Sequence, residues 1–387
     1  MFIKKKSIAI LGSTGSIGKT TIKIIKKYKK YFKVDLLVCN KNEKDIIKQI
    51  KFFKPSFVII TNYSTFLKIK KKINYKVFIS NNIFDFKKKF KNKFDITVHG
   101  ISSYEGLNFA LEFLSISKKI LIANKEAIVC GGKYLFKKSK KNNCEILSID
   151  SEHYCLSKTL ENLDRNEVKE IYLTASGGPF LKLPFKNFYK SSIKKTTAHP
   201  KWKMGKKISV DSATLVNKIL ETIEAHYLYN FSLDKIKIKI HEESKVHSCV
   251  VMRNGLCILI AHNTSMEIPI RNSLLSNKVI NEKNIFFSSP KKFIFSFDEK
   301  PLKRFKILNK IYVFLNLGPR ACIFFNVTND ILVSNYLNNQ IFFYEISKKL
   351  INMTMNKFIQ NYCRKKIKKE RDIYETIEFA KKHVSKI

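Results

Sequence analysis

The segment Ile10–Thr21, ILGSTGSIGKTT, joins two apolar stretches through three glycines, and it constrains the fold more than any other part of the chain. The residues before it are typical of a strand, and the apolar residues after it recur at helical spacing, at Ile22, Ile25, Tyr28 and Phe32. A strand, a glycine turn and a helix in this order form the first part of a βαβ unit that binds phosphate. The glycines allow a sharp turn and leave backbone N–H groups free at the helix N-terminus. The sequence therefore predicts an α/β fold that binds a nucleotide.

Two nucleotide motifs share this pattern, and the spacing of the glycines distinguishes them. Gly18-Lys19-Thr20 matches the end of the NTPase loop G-x-x-x-x-G-K-[ST], but that loop needs a glycine where Ser13 stands. The G-x-x-G-x-x-G spacing of Gly12, Gly15 and Gly18 instead favours a dinucleotide turn. Lys19 is then interpreted as an ordinary lysine of the first helical turn.

The end of the second predicted strand, Val38-Cys39-Asn40-Lys41-Asn42, indicates which dinucleotide is bound. An NAD enzyme has an acidic residue there to bind the ribose 2′-hydroxyl, and this segment has none. Lys41 offers a cation that suits a 2′-phosphate. We therefore expect NADPH rather than NADH.

Strand and helix patterns alternate over the first 150 residues, which predicts a doubly wound, Rossmann-like domain with a mainly parallel sheet. Predicted helices include Thr20–Phe32 and Glu105–Ser115. Helices are also predicted over most of 302–387, including Asn335–Phe343 and Lys357–His383. The expected architecture is an NADPH-binding domain (1–150), an α+β catalytic and dimerisation domain with a flap loop (151–275), a linker (276–301) and an α-helical C-terminal domain (302–387). The seven predicted strands are Ser7–Leu11, Val34–Val38, Phe57–Ile60, Val77–Ile79, Asp95–Val98, Ile120–Ala123 and Glu145–Ile149.

Polar residues follow two of these strands, at the sheet edge where open α/β folds bind ligands. One group is Asn124-Lys125-Glu126 and the other is Asp150-Ser151-Glu152. In an extended chain the side chains of Asp150 and Glu152 would point to the same side. A third carboxylate, Glu221, completes a set of oxygen ligands that suits Mg²⁺ or Mn²⁺ better than Zn²⁺.

The segment 196–224 combines a predicted helix, Val216–Tyr229, with polar residues at its start. Asn217, Lys218 and Glu221 share one helical face, and Ser212 is expected just before the helix as a cap or an anion ligand. These residues suggest a phosphate site, although the same spacing would also suit a surface ion pair. The loop His199–Gly205 carries the only tryptophan, Trp202, and with Ser176 nearby it is interpreted as a lid over a polar site.

The net charge of +43 requires a polyanion partner to be considered. Lysines are spread along the whole chain rather than concentrated in one patch, which favours solvated surfaces over a specific nucleic-acid interface. No apolar run is long enough to span a membrane, and the N-terminus resembles no signal peptide. The eight cysteines show no metal-ligand spacing, so we expect reduced thiols and a cytoplasmic protein.

Six motifs occur in one order: GSTGSIG, ANKE, DSEH, LTASGGPF, HPKWKMGKKISVDSATLVNK and a following LE..EA. In this combination the chain resembles the 1-deoxy-D-xylulose 5-phosphate reductoisomerases along essentially its whole length. The resemblance implies a homodimeric enzyme of isoprenoid precursor biosynthesis. Such an enzyme rearranges and reduces 1-deoxy-D-xylulose 5-phosphate to 2-C-methyl-D-erythritol 4-phosphate with NADPH and Mg²⁺ or Mn²⁺, Co²⁺ being a further candidate.

The resemblance also implies roles for individual residues. The metal ligands would be Asp150, Glu152 and Glu221, and these would act in catalysis together with Lys125 and His199. The substrate would contact Lys125, Ser151, Glu152 and Glu221 along its backbone, and Ser176, His199, Trp202, Ser212, Asn217 and Lys218 at its phosphate. The cofactor would contact Gly12, Ser13, Thr14, Gly15, Ser16, Ile17, Gly18, Asn40, Lys41, Asn42, Asn124, Glu126 and Gly205.

Two other functions remain open at the level of the sequence. One is a different NADP-dependent dehydrogenase acting on a small phosphorylated substrate. Such an enzyme would not need the three carboxylates. The other is a basic nucleic-acid-binding protein, which would have to bind at physiological salt.

Overall fold

The computed structural model describes residues 4–73, 76–181, 191–202, 204–276 and 294–385. The chain divides into two compact units, each built from several segments. The first unit comprises the described residues of Met1–Ala127, Leu135–Asp150 and Met266–Asn281. The second comprises those of Ile128–Tyr134, Ser151–Ser265 and Glu282–Ile387. The four-part domain division predicted above stays a prediction.

The first unit contains a seven-stranded parallel sheet in the order β4-β3-β2-β1-β5-β6-β7. All seven predicted strands are confirmed, and each end agrees with the prediction to within two residues. They were predictable because each contains a short apolar run that is buried in the sheet. The strands are β1 (Lys6–Leu11), β2 (Phe32–Cys39), β3 (Phe57–Ile60), β4 (Phe78–Ser80), β5 (Ile96–His99), β6 (Lys119–Ile122) and β7 (Glu145–Ser148).

The helices follow in chain order through both units. Six accompany the parallel sheet: α1 (Ser16–Lys27), α2 (Glu43–Phe53), α3 (Tyr63–Lys72), α4 (Ile83–Lys89), α5 (Gly106–Phe113) and α6 (Lys125–Lys141). The next four are α7 (Ser151–Leu160), α8 (Ile193–Thr197), α9 (Lys206–Thr214) and α10 (Val216–Tyr229). The last six described are α11 (Glu267–Leu275), α12 (Lys306–Leu315), α13 (Pro319–Leu337), α14 (Phe343–Met355), α15 (Lys357–Cys363) and α16 (Glu370–Val384). α11 returns to the first unit, where it packs on α1.

The second unit contains a four-stranded mixed sheet in the order β11-β10-β8-β9. β8 and β9 are parallel, and the other two pairs are antiparallel. α7 packs against β10 and β11, and α10 packs against β8 and β9. The strands are β8 (Val168–Ala175), β9 (Ile236–Ile240), β10 (Val246–Met252) and β11 (Cys257–Ala261).

Helix boundaries were predicted less well than strands. The first predicted helix was placed too far along, because α1 begins at Ser16 and Phe32 lies buried in β2, opposite Lys6 of β1. The predicted helix Val216–Tyr229 is confirmed, and Glu105–Ser115 is confirmed apart from a final 3₁₀ turn.

Two C-terminal predictions were wrong in detail. Asn335–Phe343 spans the end of α13, a turn with Asn339 in the left-handed region, and the first residue of α14. Lys357–His383 is two helices, because the Asp372 carboxylate accepts the backbone N–H groups of Lys368 and Lys369 and so begins α16 anew.

Most of the predicted linker, residues 277–293, lies outside the described residues. In its described part, Asp298 pairs with Ile240 at the end of β9. Among the helices that the structure describes, none is sufficiently long and apolar to cross a bilayer.

Candidate active site

The glycine turn of the first unit has the geometry of a phosphate cradle. Gly12 has a φ of +78°, and its N–H and that of Ser13 both bond to the carbonyl oxygen of Val38 in β2. A Cβ on Gly18 would overlap the carbonyl oxygen of Gly12, so a side chain there is excluded. α1 begins directly after Gly15 without a side-chain cap, which leaves backbone N–H groups of its first turn to bind an anion.

Other predicted cofactor residues of the first unit lie near the same sheet edge. Thr14 and Ile17 belong to the turn and to the first turn of α1. Lys19 pairs with Asp45 at 2.7 Å, which confirms its interpretation as a surface lysine. Asn40 and Lys41 are exposed directly after β2, and Asn42 caps α2 by accepting the N–H of Asp45.

The group that follows β6 is anchored by the cap of α6. Asn124 accepts the N–H of Ala127 and donates its own amide to the carbonyl oxygens of Ile101 and Ser103. Its side chain thus joins two loops at the strand ends. Glu126 is buried next to His99, whose imidazole has a pKa lowered by its burial.

Lys125 and Asp150 form a buried ion pair of the first unit, with Nζ and Oδ2 3.0 Å apart. β6 and β7 are neighbours in the sheet, so the residues that follow them meet at one edge. The sequence analysis placed both polar groups directly after strands of one sheet, and the structure shows these two residues there, in contact with each other. The extended geometry expected beyond Asp150 was wrong, because α7 begins at Ser151 and Glu152 lies in its first turn.

In the second unit, Lys218 joins two carboxylates from different helices. Its ammonium bonds to Glu152 of α7 and lies 2.6 Å from Glu221, one turn along α10. Carboxylate oxygens of Glu152 and Glu221 lie within 4.8 Å of each other. Asn217 donates to Glu221 and Ser151 to Glu152, so the predicted polar face of α10 is confirmed and it faces α7 rather than solvent.

This cluster is almost fully excluded from water. Glu221 is 1% exposed and Lys218 is 6% exposed. Burial alone would lower the pKa of the Lys218 amine, but the two neighbouring carboxylates outweigh it and hold that pKa above its ordinary value. Two carboxylates for one ammonium leave a negative charge that a divalent cation can neutralise, and hard oxygen donors are those that Mg²⁺ and Mn²⁺ prefer.

Ser212 does not cap α10, which corrects the sequence prediction. It lies in the last turn of α9, and the break between the helices falls at Leu215, whose φ is +61°. A Cβ on Gly178 would lie 2.8 Å from the carbonyl oxygen of Ser212, so the glycine loop after β8 packs directly on the end of α9. No local sequence signal indicated a left-handed leucine, since that conformation is unusual for a bulky side chain.

Ser176 and His199 form one further contact of the second unit. The two atoms Ser176 Oγ and His199 Nε2 lie 3.0 Å apart. His199 Nδ1 accepts the backbone N–H groups of Lys201 and Trp202, so Nε2 carries the proton and donates it to the serine. Burial, with a smaller contribution from Lys218, lowers the pKa of His199 to about 4.

Trp202 packs edge-on against His247, with the ring centroids 5.9 Å apart, and His247 stacks on His262 at 4.0 Å. Gly205 directly precedes α9, and a Cβ there would meet no atom of the described residues within 4 Å.

Comparisons with known proteins cover nearly the whole chain. The sequence model of the 1-deoxy-D-xylulose 5-phosphate reductoisomerase family matches residues 8–132, and models of C-terminal domains of that enzyme match 146–229 and 262–384. The reductoisomerase of Pelagibacter ubique (strain HTCC1062) is 42% identical over 355 residues, 89% of this chain and 90% of that protein. That of Clostridium novyi (strain NT) is 36% identical over 360 residues, 91% of this chain and 92% of that protein.

Solved structures give the same result. A DOX-P reductoisomerase in complex with NADPH, fosmidomycin and magnesium aligns with a TM-score of 0.90 and 29% identity over 98% of this chain and 97% of that one. The 1-deoxy-D-xylulose 5-phosphate reductoisomerase from Zymomonas mobilis in complex with NADPH aligns with a TM-score of 0.86 and 25% identity, covering 99% of each chain. Neither alternative raised by the sequence is favoured by these findings.

Proposed function

This chain belongs to the 1-deoxy-D-xylulose 5-phosphate reductoisomerase family, and we propose that Asp150, Glu152 and Glu221 hold the divalent metal ion of the reaction. The enzyme is an oxidoreductase of isoprenoid precursor biosynthesis that converts 1-deoxy-D-xylulose 5-phosphate to 2-C-methyl-D-erythritol 4-phosphate. When bound, NADPH would supply the hydride, and Mg²⁺ or Mn²⁺ would supply a Lewis acid for the rearrangement.

The observation that carries this proposal is the convergence of Glu152 and Glu221 on one buried point. Asp150 precedes Glu152 by two residues, and two residues span at most about 7 Å of chain, so its carboxylate is within reach of the same ion. Lys218 holds both glutamates in place. An ammonium has three donors, of which the two carboxylates use two, and the third suits a substrate phosphate.

The remaining substrate contacts are proposed from the family and from the donors that these residues offer. Ser176, Ser212 and Asn217 offer hydroxyl and amide donors for the phosphate, and neutral His199 orients Ser176 through its Nε2 proton. The loop with Trp202 excludes water above them. Lys125 and Ser151 bind oxygens along the carbon backbone, where Lys125 can stabilise negative charge or hold a proton at Nζ.

NADPH binds at the first unit in this proposal. The backbone N–H groups that follow Gly12 and begin α1 hold the pyrophosphate, and Lys41 pairs with the 2′-phosphate. Asn124 positions the loop that follows β5 rather than donating freely, because both of its amide donors are engaged there.

The test is a coupled assay that follows NADPH absorbance with 1-deoxy-D-xylulose 5-phosphate and Mg²⁺ or Mn²⁺. Replacing Glu152→Gln removes one ligand charge, and we expect a loss of kcat of about a thousandfold or more with NADPH affinity retained. Glu161→Gln, at an exposed carboxylate directly after α7, is the control and should behave as wild type. Turnover that needs no divalent metal, or near-normal activity of Glu152→Gln, would contradict the metal site.

We further infer that the enzyme is a homodimer and works in the cytoplasm. Among the described residues β11 pairs only with β10, and Leu256 just before it is 58% exposed, which offers a strand edge for a second copy of the chain. The cysteines are all free thiols, as a reducing compartment would keep them.

A further inference from the structure

A buried polar network connects α9 with α13, and no residue of α13 has been assigned a role above. Lys207 Nζ lies 2.9 Å from Asp211 and 2.8 Å from Asp330. Asn329 donates its amide to Asp211 Oδ1 at 2.8 Å. Asp211 and Asn329 are 1% and 0% exposed.

Such a network is costly to bury unless its geometry is satisfied. A carboxylate removed from water loses several kcal/mol of solvation, which its partners restore only at short, well-aligned distances. Lys207 and Asp211 are one turn apart on α9, and Asn329 and Asp330 are adjacent on α13. The four side chains therefore fix the position of α9 against α13 in both distance and register.

The C-terminal end of α9 carries Ser212, a proposed phosphate ligand. Ser212 follows Asp211 directly, and its carbonyl oxygen would lie 2.8 Å from a Cβ on Gly178, two residues after Ser176. Leu215 then turns the chain into α10, which carries Asn217 and Lys218. A shift of α9 would move Ser212 first and would disturb the packing of the Ser176 loop.

We propose that Asn329 and Asp330 are positioning residues for substrate phosphate binding, acting through Asp211 and Lys207 on Ser212 and Ser176. The inference rests on the proposed phosphate role of those two serines. It assigns to the C-terminal helices a part in substrate affinity although they touch no substrate. The metal carboxylates are held separately by Lys218, so the network serves the phosphate end in particular.

The test is the variant Asn329→Ala, which removes the donor to the buried Asp211. We expect KM for 1-deoxy-D-xylulose 5-phosphate, and the inhibition constant of inorganic phosphate, to rise by about tenfold. KM for NADPH, the metal concentration for half-maximal activity and kcat should change by less than about threefold.

A variant that only destabilises the fold would change the apparent kcat rather than KM. Two further variants separate this effect from a loss of substrate positioning. Thr376→Val leaves the buried Arg320 without one of its acceptors, so it should destabilise α13 and α16 without affecting Asp211. A loss of folded protein lowers the apparent kcat and leaves KM unchanged, as we expect for Thr376→Val. Ser334→Ala, exposed on α13, should be silent.

If Asn329→Ala does not fold, Asp330→Asn keeps the side-chain volume and removes one charge facing Lys207, and a rise in KM of about threefold or more is then expected. An unchanged KM in the folded variant would overturn the inference. Absence of turnover in the wild-type protein would instead overturn the proposed function, so the two failures are distinguishable.

Discussion

At the scale of single residues, His199 is the side chain whose protonation state the structure defines most sharply. Its Nδ1 accepts two backbone N–H groups, so adding a proton there would break both bonds. The pKa lies near 4 in the folded chain and about 6.5 in the unfolded chain, because burial disfavours the charged ring. Between those values the unfolded state binds more protons, so stability falls as the pH falls from about 6.5 to 4 and is fully present above 6.5.

We therefore expect part of the acid destabilisation to disappear in His199→Asn, whose amide oxygen can accept the same N–H groups but does not titrate. Urea unfolding of both proteins at pH 7.5, 6, 5 and 4.5 measures this difference. Identical pH dependence of the two midpoints would show that His199 is not held neutral. The control is His226→Asn on α10, because Nδ1 of His226 donates to the carbonyl oxygen of Phe231 instead of accepting backbone N–H groups.

The sequence predicted correctly that certain polar side chains lie together. Glu152, Lys218 and Glu221 were grouped correctly, because helical spacing and strand-end position are readable from one chain. The error at Ser212 had a different origin, since the helix break at Leu215 depends on tertiary contacts rather than on local propensity. The link between Asp211 and Asn329 was not predictable either, as no local pattern connects residues 118 positions apart.

At the scale of elements, the turn between β1 and α1 makes a testable distinction between its glycines. A Cβ on Gly18 would overlap backbone atoms of Gly12 and Ser13, whereas the nearest atom to a Cβ on Gly15 is 3.4 Å away. We expect Gly18→Ala to destabilise the protein by about 2 kcal/mol or more, and Gly15→Ala by less than about 1 kcal/mol. Thermal unfolding measures both.

Gly15→Ala has a second use, because Gly15 directly precedes the helix start that we propose holds the pyrophosphate. Its folded variant should bind NADPH more weakly, by about tenfold, while remaining stable. Equal stability of the two variants would contradict the close packing at Gly18.

The seven strands of this unit were predictable because each is an uninterrupted apolar run. The break between α15 and α16 was missed although its signal is local, since the Asp372 carboxylate accepts the N–H groups of Lys368 and Lys369 only four and three residues earlier.

At the scale of the whole molecule, the charge of +43 opposes the association that we propose. The chain has 74 Lys and Arg residues but only 31 Asp and Glu residues, which leaves an excess of 43 positive charges. Two such chains repel each other over a distance of about 30 Å at 0.01 M salt, but of only about 8 Å at physiological ionic strength. In the proposed dimer, the strand edge at β11 would gain hydrogen bonds and buried apolar surface, which salt does not weaken.

We therefore expect a homodimer at 0.2 M NaCl whose dissociation constant rises by about tenfold or more at 0.02 M NaCl, as sedimentation velocity can measure. Cys257→Lys adds a cation to the β11 edge and should weaken the dimer further, whereas Cys257→Ser, of nearly equal size, should not. A single-chain mass at every salt concentration would contradict the dimer. A dimer that tightens at low salt would contradict the repulsion argument, because attraction between opposite charges would then have to hold the two chains together.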